Sequence, residues 1–364
     1  MAYGLLGACG GVVSVESGSN DGGADAGESV GMVPGGDGEA APDSGTMGID
    51  ARSDDGGGCP HGRVLCNGVC RCLVTLASGG EPAAIAIDDT AVYWTSIGVG
   101  SDAGTVMTVP KTGGLAATLA SGQSGPQGLA VDRRNVYWTN NGTSVSVMSV
   151  PSGGGPSVSL APPQDNPYGT GITVDALSVY WATSNGTGSS ALMKVLLAGG
   201  APTILATVDS PGGVAVDATS VYWTSLHAGG SVMKIPVGGG APTTLASGPD
   251  NYPNAVVVDA ANVYWTNSFT GKSVAKVPVA GGAVTVLAAG QANPGGLAVD
   301  DTSVYWVNRD DGTVMKVPIA GGAPTALASG QDDPQSIVVD TTSVYWTNPY
   351  GDAGAGAVMK LTPK

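Results

Sequence analysis

Residues 212–248 read GGVAVDATSVYWTSLHAGGSVMKIPVGGGAPTTLASG, and the triplet inside them, Val221-Tyr222-Trp223, decides the fold. The chain has seven tryptophans, Trp94, Trp138, Trp181, Trp223, Trp265, Trp306 and Trp346, and Val-Tyr precedes every one. Successive spacings are 44, 43, 42, 42, 41 and 40 residues. A period of about 40–45 residues with several short strands per unit is that of a propeller blade. The quoted unit contains four such runs: A (VAVD, 214–217), B (VYWT, 221–224), C (VMKIP, 232–236) and D (PTTLA, 242–246). Each is rich in β-branched and apolar residues, bounded by Gly, Asp or Pro, and too short to form a helix.

Side chains alternate along a strand, so Val221 and Trp223 face one side of the blade and Tyr222 the other. Blades stack face to face, so both sides need apolar cover. Met107, Met148, Met193, Met233, Met315 and Met359 recur at one run-C position and are expected to pack in the core. Runs A, B and C occur seven times, but D occurs only six times after the first A. The missing copy is Leu73–Ala77, ahead of the first A, and the chain stops after a run C, AVMKLTPK. The expected fold is therefore all-β: a seven-bladed β-propeller of four-stranded blades over residues 73–364, its ring closed by the N-terminal strand 73–77 joining the last blade. Closure protects strand edges that would otherwise template aggregation.

Before the propeller, residues 10–58 are dominated by Gly, Ser, Ala and Asp, a composition that cannot bury enough apolar area to offset ordering and predicts a disordered linker. Net charge is −15, of which residues 1–72 carry −7 (ten acidic against three basic) and the propeller the remaining −8. That balance gives no electrostatic footprint for nucleic acid or anionic lipid. No run of about 18 apolar residues is present to span a membrane as a helix.

Two further segments suggest export. Residues 1–9, MAYGLLGAC, end in small residues before Cys9 and resemble a bacterial lipobox, in which that cysteine is acylated. Only eight residues precede Cys9 and none is basic, so either the true start lies upstream or the match is accidental. On the lipobox reading, acyl chains tether the protein to a membrane without spanning it. The expected location is then the outer membrane or cell surface, or the periplasm. Residues 59–72 hold Cys59, Cys66, Cys70 and Cys72, which in an exported chain suggest a segment stapled by two disulfides with three possible connectivities. The alternative is a zinc site with His61, although the usual pair spacing is absent.

Comparison of the blades with one another locates the variable part. The run-A aspartates (Asp88, Asp132, Asp175, Asp217, Asp259, Asp300 and Asp340) always stand six residues before the tryptophan. Gly-Gly follows the run-C methionine position by six residues and the run-D leucine follows it by twelve. The A–B and C–D turns therefore have fixed length and share one face of the disk, whereas the B–C and D–A loops vary and share the other. Loops on a rigid scaffold commonly carry function. Outside the VYW triplets the propeller has four aromatics, Tyr168, Tyr252, Phe269 and Tyr350, all in variable loops, as is its one histidine, His227. With Asn251 and Arg309 they make up the candidate ligand-binding set, since exposed aromatics are typical anchors. The run-A aspartates are expected to cap turns rather than bind ions. NRDDGT at 308–313 is expected to be a hairpin tip. Lys194, Lys234, Lys276, Lys316 and Lys360 are expected at solvated blade edges.

The DxxxVYWT signature after GLAV or GGVAV resembles the YWTD class of extracellular propellers and, more loosely, streptogramin B lyase and gluconolactonase-like propellers. The family's closing Asp is replaced here by Asn140, Asn267, Asn308 and Asn348 or by Ser and Thr. The lyase resemblance implies acid–base residues and a divalent metal, calcium or magnesium, near the channel. The propeller has one glutamate, Glu81, and one histidine, His227, and its loop aspartates Asp165, Asp209, Asp250, Asp310, Asp332 and Asp333 match no catalytic spacing. The expectation is a non-catalytic monomeric module that binds a protein or glycan without a cofactor. The alternative is a metal-assisted lyase or lactonase-type hydrolase.

Overall fold

The computed structural model describes residues 64–66, 69–98, 100, 102–141, 145–164, 168–184, 190–227, 229–248, 252–269, 271–350 and 355–364. The expectations for Cys9, the 10–58 linker, Cys59, His61, Asp165, Asp250 and Asn251 fall outside these residues. Of Cys66, Cys70 and Tyr168 only the backbone is described.

The protein is a seven-bladed β-propeller, each blade an antiparallel sheet in the order A-B-C-D from the axis outward. Blade four shows the pattern: Pro211–Val216, Ser220–Ser225, Ser231–Pro236 and Thr243–Ser247. The innermost strands neighbour one another around the ring, and the last, Ile337–Val339, lies against the first, Pro82–Ile87. Strand Val69–Ser78 closes the ring by pairing with the C-terminal strand Ala357–Thr362, from Cys72 opposite Thr362 to Ser78 opposite Ala357. It begins four residues ahead of the expected 73. A short strand, Val64–Cys66, adds outside it, making the last blade five-stranded.

The triplet does the packing. Trp138, Trp181, Trp265, Trp306 and Trp346 are fully buried, and all seven Tyr partners are no more than 2% exposed. Burying roughly 200 Å² per tryptophan contributes about 5 kcal/mol each at about 25 cal/mol per Å². Each core cluster lies between two blades: Trp223 of blade four packs with Tyr180 of blade three, and Trp265 of blade five with Tyr222 of blade four. The run-C methionines pair in register with the tryptophans, as Met233 does with Trp223, and belong to these interblade cores.

Small residues keep the ring tight. A Cβ on Gly213 would lie 2.8 Å from the Val256 backbone nitrogen of the next blade. At the C–D turns, Gly239 and Gly240 have φ of 87° and 135°, a region that L side chains rarely adopt.

Candidate functional site

On the constant-length face every run-A aspartate does two jobs. Asp217 Oδ1 accepts the backbone N–H groups of Thr219 and Ser220 at 2.7 and 2.8 Å, the expected Asx turn. Its Oδ2 accepts the hydroxyl of buried Tyr222 at 2.7 Å, which satisfies the polar tip of run B. The same Tyr-to-Asp bond recurs in all seven blades. Burial and the Asp132 carboxylate push the Tyr137 phenol up to about 12. Burial alone would raise Asp300, but Lys364 and the turn N–H groups outweigh it and hold the carboxyl well below its usual range.

The run-C lysines correct the sequence expectation of solvated edges. Lys194, Lys234, Lys276 and Lys360 are half-buried and donate across the blade boundary to the carbonyls of Val237, Val279, Ile319 and Lys111, at 2.9, 2.6, 2.7 and 2.8 Å. Each sits beside a buried tyrosine in register, and Lys194 Nζ lies 5.3 Å from the centre of the Tyr180 ring. A long apolar stem fits the wedge between blades while the ammonium caps a turn carbonyl.

The threonine after the tryptophan is a second interblade link. Thr224 Oγ1 accepts the Gly213 N–H of its own blade at 2.9 Å and donates to Asn254 O of the next at 2.6 Å. Thr95, Thr266 and Thr347 repeat the arrangement. The hydroxyl occupies the irregularity in strand A, where the ladder shifts between Pro211 and Val214.

The opposite, variable face is less uniform. In blades two, six and seven a loop glutamine accepts from the tryptophan: Trp138, Trp306 and Trp346 Nε1 donate to Gln123, Gln291 and Gln331 at 3.0, 3.0 and 2.9 Å. The Asn140, Asn308 and Asn348 side chains donate to the same glutamines. Among the described residues Trp181 and Trp265 Nε1 meet no acceptor.

At the centre of this face the channel opens into a cavity of about 380 Å3, lined by strand-A residues including Gln127, Asn254 and Gln335 and overhung by Ile97, Leu226 and Arg309. Among the described residues Arg309 is the one charged side chain lining it. Its Nε and Nη2 donate to the two Asp333 oxygens at 2.8 and 3.1 Å, and the Asp333 carboxylate raises the guanidinium pKa further. Gly295 leaves the space along which the Arg309 stem lies, since a Cβ there would approach it at 3.3 Å. Arg309 sits within the NRDDGT tip, which is the expected hairpin, with Asn308 opposite Thr313.

Of the candidate residues, the fold brings Tyr252 and Phe269 together: their rings meet edge to face at 4.9 Å. Phe269 is 60% exposed and held at φ 54°. Tyr350 is exposed, on the same face. His227 faces Asp209 at 3.6 Å. Among the described residues no three His, Cys, Asp or Glu side chains group closely enough to hold a metal ion. Missed in the sequence were the glutamines, whose signal was the recurring SGQ or AGQ ahead of blades two, six and seven.

Ring, blade order and closure define a seven-bladed β-propeller, and the chain is similar in fold to solved structures at low identity. Streptogramin B lyase superposes with a TM-score of 0.66 and 14% identity, covering 81% of this chain and 98% of the other. The WD40 propeller domain of Doa1 gives 0.59 and 12%, covering 79% and 96%. A chain of the nidogen/laminin complex gives 0.47 and 22%, covering 56% and 77%. No family model matches the chain, and no curated protein is similar to it in sequence.

Proposed function

We propose that the chain is an exported, lipid-tethered, monomeric propeller that binds a protein or glycan through its variable face, without catalysis and without a cofactor. One observation carries this reading. Phe269, the chain's one phenylalanine, is 60% exposed in a left-handed backbone conformation and braced by the Tyr252 ring, on the face where the channel opens. An exposed aromatic held in place loses little entropy on binding and is the usual kind of anchor. The polar side chains at the mouth, Gln127, Asn254, Gln335 and the Asp333-held Arg309, would orient a ligand.

The test screens the full chain and a Tyr252→Ala/Phe269→Ala variant on immobilised glycans and in cell-surface photo-crosslinking. Loss of signal in the variant at an unchanged melting temperature supports the assignment, and equal signal from both sinks it. Intact mass after detergent extraction tests acylation at Cys9. A gain of four hydrogens on reduction tests the two disulfides.

A second reading, a metal-assisted lyase or hydrolase, draws on the His227–Asp209 pair at 3.6 Å, a possible acid–base couple. A melting midpoint raised by calcium or magnesium over chelator, and abolished by His227→Ala, would favour it.

A further inference from the structure

The wedges between blades on the constant-length face are not equivalent. Five of the seven hold a lysine ammonium. Lys194, Lys234 and Lys276 fill those from blade three to blade six. Lys364 fills that between six and seven, over the Tyr305 ring at 5.4 Å and paired with Asp300. Lys360 and Lys111 share that between seven and one, both 5.7 Å from the Tyr345 ring, with Lys111 3.0 Å from Asp340. The ammonium thus has a repeated environment: a buried tyrosine face, the run-A carboxylate or a turn carbonyl, and an apolar wall for the stem.

Blades one and two lack it. Where the others carry lysine, blade one has Thr108 and blade two Ser149, and the position of Lys111 and Lys364 is taken by Ser152 and Leu197. The face opens at those two wedges, with a cleft of about 570 Å3 between blades one and two and another of about 770 Å3 between two and three. The first is lined by Ile87, Asp88, Asp89, Asp132, Arg133 and Ser152 among others. Three carboxylates there face one guanidinium. The second has Asp132 and Asp175 against Arg133 and Arg134, which balance.

We propose that the wedge between blades one and two is a binding site for an alkylammonium group, a primary ammonium on a flexible methylene stem. It would occupy the place that a lysine of the chain occupies in five other wedges. Asp88 corresponds to Asp300 and Asp340, which each take a lysine ammonium while keeping their tyrosine bond. Ser152 O corresponds to the carbonyls of Val237, Val279 and Ile319. Ile87 and Val131 supply apolar wall for the stem. The ammonium belongs to a free diamine or to a lysine displayed by another protein. This site lies on the face opposite Phe269 and does not depend on the function proposed above.

Titration calorimetry on the full chain tests it, using cadaverine as the free diamine and Nα-acetyl-lysine amide as the side-chain mimic. Saturable binding is expected, lost by about tenfold or more in Thr108→Lys, whose own ammonium fills the cleft. That variant should also melt higher. Arg133→Ala, on an exposed turn, removes the one repelling charge and should tighten binding a few-fold. Binding of cadaverine alone assigns the site to a free diamine, and comparable binding of both probes to a lysine-bearing partner. No saturable binding of either probe, or equal affinity in Thr108→Lys and wild type with no gain in Arg133→Ala, overturns the proposal.

Discussion

The two faces of the disk start from the same repeat and use it differently. On the constant-length face, polar groups are matched within the ring: the carboxylate of each run-A Asp takes its own turn and its own tyrosine, and lysines reach across blade boundaries. On the variable face the matching is partial. Three tryptophans have a glutamine partner, Trp181 and Trp265 meet none among the described residues, and Phe269 stands in solvent. One face holds the blades in register; the other is free to differ. Breaking the contacts that hold the ring on the first should therefore cost stability, and changing the Tyr252–Phe269 pair on the second should cost binding at little cost in stability.

The largest effect should come from removing the closure that both faces share. Deleting residues 357–364 takes away the strand that receives Val69–Ser78, and no soluble, cooperatively melting protein is expected. Next comes the constant-length face. Asp217→Ala strands the Tyr222 hydroxyl and two turn N–H groups, for an expected loss of about 3 kcal/mol in chemical denaturation. Thr224→Val keeps the shape and breaks both blade links, for about 2 kcal/mol. On the variable face Gln291→Ala removes one of the two acceptors of Trp306 Nε1, leaving Asn308 Oδ1 at 3.1 Å, and about 1 kcal/mol is expected. Phe269→Ala should stay within about 0.5 kcal/mol, the range of ordinary surface changes.

pH separates the faces in another way. Burial and the paired aspartates raise the Tyr137, Tyr180 and Tyr345 phenols from 10.0 to about 12. A raised pKa means that the unfolded chain ionises first. Stability from these bonds is complete below pH 10 and falls as pH rises toward about 12. On the acid side, Asp88 and Asp217 lie below 3.8 in the fold because tyrosine and turn bonds outweigh burial, so their contribution is lost as pH falls below that value. Melting curves of wild type and Tyr137→Phe should converge as pH rises from 10 toward about 12.

Blade number, closing strand and Asx turns were legible because each is a local pattern repeated along the chain. The Asp–Tyr bond was equally local, at a constant separation of five residues, but two side chains on different strands meet only once the A–B turn is built. The lysines were misplaced because their partners, such as Val279 for Lys234, lie a whole blade away. The candidate patch was partly legible: loop aromatics stand out by scarcity, and Tyr252 does meet Phe269. That His227 turns to Asp209 depends on how the two loops of one blade end approach each other, which spacing alone does not reveal.

The most direct test places a photo-crosslinking residue at Phe269 on the variable face or at Ala218, in an exposed turn of the constant-length face, and irradiates cells carrying the full-length chain. The account expects defined adducts from position 269 and none from 218. Adducts from 218 with none from 269 would contradict it.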